Sequence, residues 1–442
     1  MQGAGGAALL RSVPQAAAAP AARQWPIEEG PETPKLCMSV RDGGGPLPAS
    51  LQPAAGPQAG RDPNAFGGGY GGFLAPQPEP SPATATARSQ QAAYRRIRQL
   101  GVTHLLGVSV GNWTEESIRR AVESAKEAGL VAYNAMIGVP SSILYGKPGR
   151  DKDIEKIIAA IEAAGKAGLP VIEYNIYAHR AIEGYYETVG RAGAGYTGFN
   201  HELEVLVDEK DRVVQPVFRD PDGQITPESL AEFPNARKVK FKDLPPLAEE
   251  GVHNLDEMWA NVTWFLKAAI PAAEKAGVRM ALHPNDPPAP ISRGSQQIMG
   301  SLAGWKHLIE IVNSPANGIT FDSGVTREMG EDPVQVADYF ASRRRINHVH
   351  YRNVLVARPY ERYQEVFIDA GLCDMFGVMK ALVGNKYTGT IYPEHPRALD
   401  ADRDRAAPGG RVQGYPGGGG YTGMTFSVAY ARAMMQAALE SV

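Results

Sequence analysis

Four side chains able to ligate a divalent cation or move a proton close short apolar runs in the second half of the chain. His283 follows RMAL and opens HPNDPP, Asp322 ends GITFD ahead of SG, His350 ends INHVH ahead of YRN, and Glu394 lies in TIYPEHP. Two imidazoles and two carboxylates brought together would suit Mn²⁺, Fe²⁺, Co²⁺ or Zn²⁺, because mixed N/O ligation favours borderline divalent ions over Mg²⁺ or Ca²⁺. His348 stands two residues before His350 and shares its face in an ideal strand, so periodicity alone leaves the choice between them open.

For these groups to meet, the runs that carry them must lie side by side and end at one rim. Eight runs rich in β-formers qualify: Lys35–Val40, Thr103–Ser109, Val131–Val139, Pro170–Ile176, Arg279–Pro284, Gly318–Asp322, Ile346–His350 and Thr388–Glu394. Helical patterns separate them, the alternation expected of parallel strands joined by crossover helices. Thr114 caps one such pattern, with Ile118, Ala121, Val122 and Ala125 on one face and Gly129 at its end. Another carries Leu255, Met258, Trp259, Val262, Leu266 and Ala269 toward Pro271, where a bend or restart is expected. Eight strands predict an α/β (β/α)8 TIM barrel with long loop insertions, and such barrels place their chemistry at the C-terminal strand ends. Residues 31–442 form the barrel domain, with a Gly/Pro-rich first loop over 41–90 and an insertion over 179–250 in the position of a lid.

Composition narrows the function further. With 45 basic and 48 acidic residues and a net charge of −3, no basic excess exists for nucleic acid, so a small-molecule substrate is expected. The two cysteines, Cys37 and Cys373, are too few for a disulfide framework and read as buried thiols. No run reaches the length of a membrane span. Residues 1–30 stand apart: GAGGAALLRSVPQAAAAPAA reads either as a disordered Ala/Pro-rich tail or as the later part of an export signal, similar to a truncated twin-arginine leader. A homo-oligomer is expected.

Over roughly residues 95–440 the chain resembles the metal-dependent mannonate dehydratase family, of the xylose-isomerase-like superfamily. The resemblance is carried by KPGRDKDIEKII (147–158), GLPVIEYN (168–175), FLKAAIPAAEKAGVRMALHPNDPP (265–288), SPANGITF (314–321), GVTREMG (324–330), HYRNV (350–354), FIDAGLCDM (367–375) and YPEHPR (392–397). Matched residue by residue, the family's metal ligands become His283, Asp322, His350 and Glu394, which selects His350 over His348. Asp322 stands where the family has cysteine and Glu394 where it has aspartate. Losing a thiolate for a hard carboxylate points to Mn²⁺ first, with Mg²⁺, Fe²⁺ or Co²⁺ as alternatives. His395 follows Glu394 as the family's catalytic histidine follows its ligand. The GYTG segment places the catalytic tyrosine at Tyr421, ahead of Tyr415 in GYPG.

The resemblance implies a cytoplasmic hydro-lyase that takes water from D-mannonate or a related aldonate, leaving a 2-keto-3-deoxy sugar acid. Removing the weakly acidic proton beside the carboxylate and expelling hydroxide from the next carbon each need help. A Lewis acid and an acid–base pair provide it, here the metal with His395 and Tyr421. Arg352 or Asn353 would bind substrate. After strand four the family's aspartate–tryptophan–threonine–arginine stretch is replaced by IYAHRAIEGYYE, where His179 and Arg180 could hold a carboxylate. Two rival readings stand beside this one: a metal-dependent sugar isomerase or epimerase in which Glu173 joins the site, and a noncatalytic sugar-acid-binding barrel.

Overall fold

The runs of Val, Ile, Leu and Met found in the sequence become short parallel strands in a computed structural model that describes residues 29–43, 83–214, 219–220, 222–248, 251–404 and 415–442. The leader-like segment up to residue 28 and residues 44–82 of the predicted first loop lie outside the described residues. The barrel staves are β1 (Lys35–Ser39), β2 (His104–Leu106), β3 (Val131–Ala132) with β4 (Asn134–Ile137), and β5 (Val171–Tyr174). Four more strands, β6 (Tyr185–Val189), β7 (Gly195–Asn200), β8 (Glu204–Val207) and β9 (Arg237–Lys240), belong to the insertion. The staves resume with β10 (Arg279–Leu282), and a small hairpin of β11 (Ile291–Ser292) and β12 (Ser295–Gln296) follows. The remaining staves are β13 (Asn317–Asp322), β14 (Ile346–His350) and, after a hairpin of β15 (Val354–Arg358) and β16 (Arg362–Glu365), β17 (Thr390–Tyr392).

Their order is β3-β2-β1-β17-β14-β13-β10-β5-β4. The two ends of this sheet, β3 and β4, are halves of the single predicted run Val131–Val139, broken at Tyr133. Tyr133 N–H donates to the Leu105 carbonyl and Val108 N–H to that of Asn134, so the ring closes there and the eight predicted runs correspond to eight staves. Parallel strands buried on both faces explain the near-continuous apolar runs. Thr114 caps the helix Glu115–Glu127 through a reciprocal pair with Ser117, as its position predicts. The helix Leu255–Ala276 instead runs through Pro271 without restarting. It packs on the helix Arg150–Ala167, where a Cβ on Gly165 would come within 2.3 Å of the Ala276 carbonyl oxygen. Cys37 and Cys373 are buried and unpaired as disulfides.

The barrel interior is polar just below its mouth. Asn134, Glu173, Thr320, His348 and Thr390 are all fully buried. Buried polar groups are costly unless paired. Asn134 Nδ2 and Thr320 Oγ1 accordingly donate to the two oxygens of Glu173, at 3.3 and 2.9 Å, and His348 Nδ1 lies 2.8 Å from Thr390 Oγ1.

The insertion is a packed roof. β6 and β7 join β16 and β15 in an antiparallel sheet of order β15-β16-β7-β6, and β8 pairs with β9 beside it. Phe199 stacks on Tyr363 at 4.9 Å and is wedged against Phe241, giving this layer a small core of its own. Two of the four strands of that larger sheet thus come from residues 354–365, outside the predicted insertion. Among the described residues, no helix is long and apolar enough to cross a membrane.

Candidate metal centre and active site

Strand register brings the predicted ligands to one rim. Asp322 pairs with His350 across β13 and β14, His350 with Tyr392 across β14 and β17, and Glu394 sits two residues beyond β17. His283 follows β10 directly. His350 Nδ1 lies 3.1 Å from His283 Nε2, 3.1 Å from Glu394 Oε1 and 3.8 Å from Asp322 Oδ2. All four residues are buried. Asp322 has two tasks, because β13 turns straight into the helix Ser323–Glu328: Oδ1 caps that helix by accepting from Val325 N–H at 2.7 Å, leaving Oδ2 for the cluster.

The donor set fits a divalent cation. His283 donates through Nδ1 to the Pro284 carbonyl at 2.7 Å, so Nε2 turns a lone pair toward His350 and the carboxylates. Glu394 Oε1 is buried with no hydrogen bond made to it. Burial pulls His283 down to about 4, helped by the nearby Arg180 charge, and burial beside His283 pulls His350 well below the usual imidazole range. Both rings are therefore neutral, as ligands must be. Burial also lifts the Glu394 carboxyl well above its usual range, against the pull of His395 and of Arg352, whose Nε lies 3.2 Å from Oε1. Glu173 approaches the far nitrogen of His350, Nε2, at 3.7 Å, and Glu173, His283 and His350 form a second close group.

Beside the cluster stands His395, at φ +49°. Its Nδ1 is 2.9 Å from Glu365 Oε2 and its Nε2 is 3.6 Å from Glu394 Oε2. Burial opposes its charge, yet Glu365 and Glu394 lift it to about 9. Asp286, Glu365 and His395 converge as a third group. Asp286 accepts from Tyr185 of the roof at 2.6 Å, and Tyr363 lies 3.1 Å from the same hydroxyl.

Several expectations need correction. Tyr421 does not come to the cluster: it opens the last helix and its hydroxyl donates to the Arg96 carbonyl at 3.1 Å. Tyr415 does, its ring 4.7 Å from that of His395. Arg352, expected to bind substrate, lies inside the carboxylate cluster. It is fully buried and spends its guanidinium on Glu328 at 2.7 Å, Asp322 at 3.1 Å, Glu394 at 3.2 Å and Asp286 at 3.3 Å. Asn353 is likewise consumed, donating to the Ile368 carbonyl and accepting from Cys373 N–H, which pins the loop after β16. His179 is tied to Glu183 at 2.9 Å. Of the predicted pair it is Arg180 whose charge is felt at His283 and at Tyr177. Asp286, Glu365, Tyr185 and Tyr363 were not anticipated. Asp286 lies inside HPNDPP and Tyr185 inside IYAHRAIEGYYE, both stretches that the sequence singles out, whereas Glu365 and Tyr363 carried no such signal.

Fold and site together define a (β/α)8 barrel with a His/carboxylate cluster of divalent-metal type at its C-terminal mouth. The chain belongs to the D-mannonate dehydratase (UxuA) family, whose model matches residues 88–438. It is 30% identical over 313 residues to a mannonate dehydratase of Streptococcus equi subsp. zooepidemicus, covering 69% of this chain and 80% of that one. To one of Enterococcus faecalis it is 30% identical over 332 residues, covering 69% and 85%. The crystal structure of mannonate dehydratase from Streptococcus suis serotype 2 is similar with a TM-score of 0.61 at 25% identity, covering 79% of this chain and 91% of that one.

Proposed function

We propose that this chain dehydrates D-mannonate, or a closely related aldonate, to a 2-keto-3-deoxy sugar acid. The observation that carries the reading is the convergence of the His283 Nε2 lone pair, Glu394 Oε1 and Asp322 Oδ2 on His350 Nδ1, directly beside His395. His283, Asp322, His350 and Glu394 would hold the metal, Mn²⁺ first, with Mg²⁺, Fe²⁺ or Co²⁺ as alternatives, since two carboxylates without thiolate favour harder ions. When bound, the ion supplies Lewis-acid stabilisation of the enediolate-like charge that forms as the C2 proton leaves.

His395 and Tyr415 form the acid–base pair: one accepts the C2 proton, the other protonates the departing C3 hydroxyl, and the enol that remains ketonises. Arg180 holds the substrate carboxylate, its positive charge lying within electrostatic reach of His283. Arg352 keeps Asp322 and Glu394 in place without touching substrate. Tyr185 and Tyr363 line the roof face above Asp286 and meet the sugar hydroxyls.

The test is turnover of D-mannonate and a panel of related aldonates by metal-stripped protein resupplied with Mn²⁺, Mg²⁺, Fe²⁺, Co²⁺ or Zn²⁺, following 2-keto acid and product mass. Metal-dependent 2-keto acid, lighter than the substrate by the mass of one water, is expected, with Mn²⁺ the best ion. A product of unchanged mass would reassign the site to isomerisation, and no product with any ion would remove the enzymatic reading.

A further inference from the structure

We infer that Glu365, delivered by the roof, is the positioning residue of His395. This rests on the reading of His395 as half of the acid–base pair. Glu365 ends β16, where Tyr363 and Glu365 alternate inward, away from the exposed Arg362, and it pairs in register with Thr197 on β7. The carboxylate is buried and converges with Asp286 and His395 at the barrel mouth. Its Oε2 accepts from His395 Nδ1 at 2.9 Å and from Arg397 Nη2 at 3.0 Å.

Arg397 locks the arrangement from the other direction. Its Nε and Nη2 donate to the His395 carbonyl at 2.9 and 2.6 Å, holding the backbone in the left-handed turn, a conformation that side-chain-bearing residues seldom adopt. Its Nη1 donates to Thr197 Oγ1 at 2.7 Å and to the Glu365 carbonyl at 3.2 Å. The imidazole is thereby fixed at Nδ1 by a carboxylate and covered on one face by the Tyr415 ring, leaving Nε2 as the nitrogen that meets the substrate. A carboxylate on the far nitrogen of a catalytic imidazole sets its tautomer and its aim, and losing that partner costs turnover while leaving binding intact. The roof is therefore a part of the acid–base apparatus.

The test is a double-mutant cycle with a spectroscopic readout. Glu365→Gln should lower kcat on D-mannonate about 10- to 100-fold, the usual loss when a partner behind an active group is removed, with KM and bound metal unchanged. In a His395→Asn background the same substitution should add less than about twofold, because a residue that acts through another has nothing left to act on. Equal losses in both backgrounds would overturn the inference. Glu365→Asp, which keeps the charge, enters the same cycle if the Gln protein fails to fold. Independently of turnover, ¹⁵N imidazole spectra of protein loaded with diamagnetic Mg²⁺ or Zn²⁺ should show His395 protonated at Nδ1, with both ring nitrogens displaced by Glu365→Gln. An unprotonated Nδ1, or a pattern unmoved by the substitution, refutes the positioning role even if D-mannonate proves not to be the substrate.

Discussion

Replacing Arg352 by methionine separates the role its motif suggests from the role its contacts assign. The guanidinium is buried among Glu328, Asp322, Glu394 and Asp286, all within 3.3 Å. Burial lifts the Glu328 and Glu394 carboxyls well above their usual range, and the Arg352 charge opposes that lift in both. Without the guanidinium all four groups lose their buried counter-charge. Removing one partner of a buried ion pair costs about 3–5 kcal/mol, and at about 2 °C per kcal/mol for a large domain the metal-free Arg352→Met protein should melt about 6–10 °C lower. Saturating Mn²⁺ returns positive charge beside Asp322 and Glu394, so the deficit should shrink when the scan is repeated with metal. Differential scanning calorimetry of both proteins, with and without Mn²⁺, provides the comparison. An unchanged melting temperature in the absence of metal, together with a raised KM for D-mannonate, would refute the reasoning and restore Arg352 as a substrate anchor.

Three further outcomes are expected. Tyr415→Phe should lower kcat by about 10²-fold, the size of an acid–base contribution, whereas Tyr421→Phe should stay within about twofold; the reverse order would return the role to Tyr421. Asp322→Cys should raise Zn²⁺ affinity relative to Mn²⁺ in competition dialysis and cost about 1 kcal/mol of stability through the lost helix cap, and an unaltered metal preference would sink the ligand assignment. Arg180→Ala should raise KM for D-mannonate by about 10-fold or more, equivalent to at least 1.4 kcal/mol of lost binding, while His179→Ala, whose ring is occupied by Glu183, leaves KM near wild type; equal effects would mean that the pair acts together.

What the sequence discloses and what it hides follow from where the information is stored. The barrel staves are legible because burial on both faces demands long apolar runs, and the ligands are legible because each sits at the end of one. His283, Asp322 and Glu394 needed only the rule that strand ends meet at a rim, whereas His350 was separated from His348, two residues earlier on the same face, only by the family resemblance. Arg352 was visible as a residue but not as a role: the motif HYRN says nothing of four carboxylates contributed by three other segments. Glu365 lay in an unremarkable YQEVF, and only the register of β16 against β7 turns it toward His395. Tyr415 and Tyr421 each stand two residues before a glycine, and spacing could not tell that one hydroxyl reaches the helix Ala83–Gln99 and one ring reaches His395. The helix through Pro271 shows the opposite failure, a local rule overridden by packing on its neighbour.

The roof is stitched from three stretches that leave the barrel after different staves. β6 and β7 come after β5, β15 and β16 after β14, and residues beyond β17 close it through the bridges Gly195–Ala398 and Arg397–Gly418. A transplant of residues 179–250 from a relative would therefore arrive without its matching hairpin and C-terminal seam. The roof of this chain is therefore not a cassette: replacing one stretch breaks its pairing with the other two, whereas single side chains on its inner face, such as Tyr185 and Tyr363, can be changed without disturbing those seams.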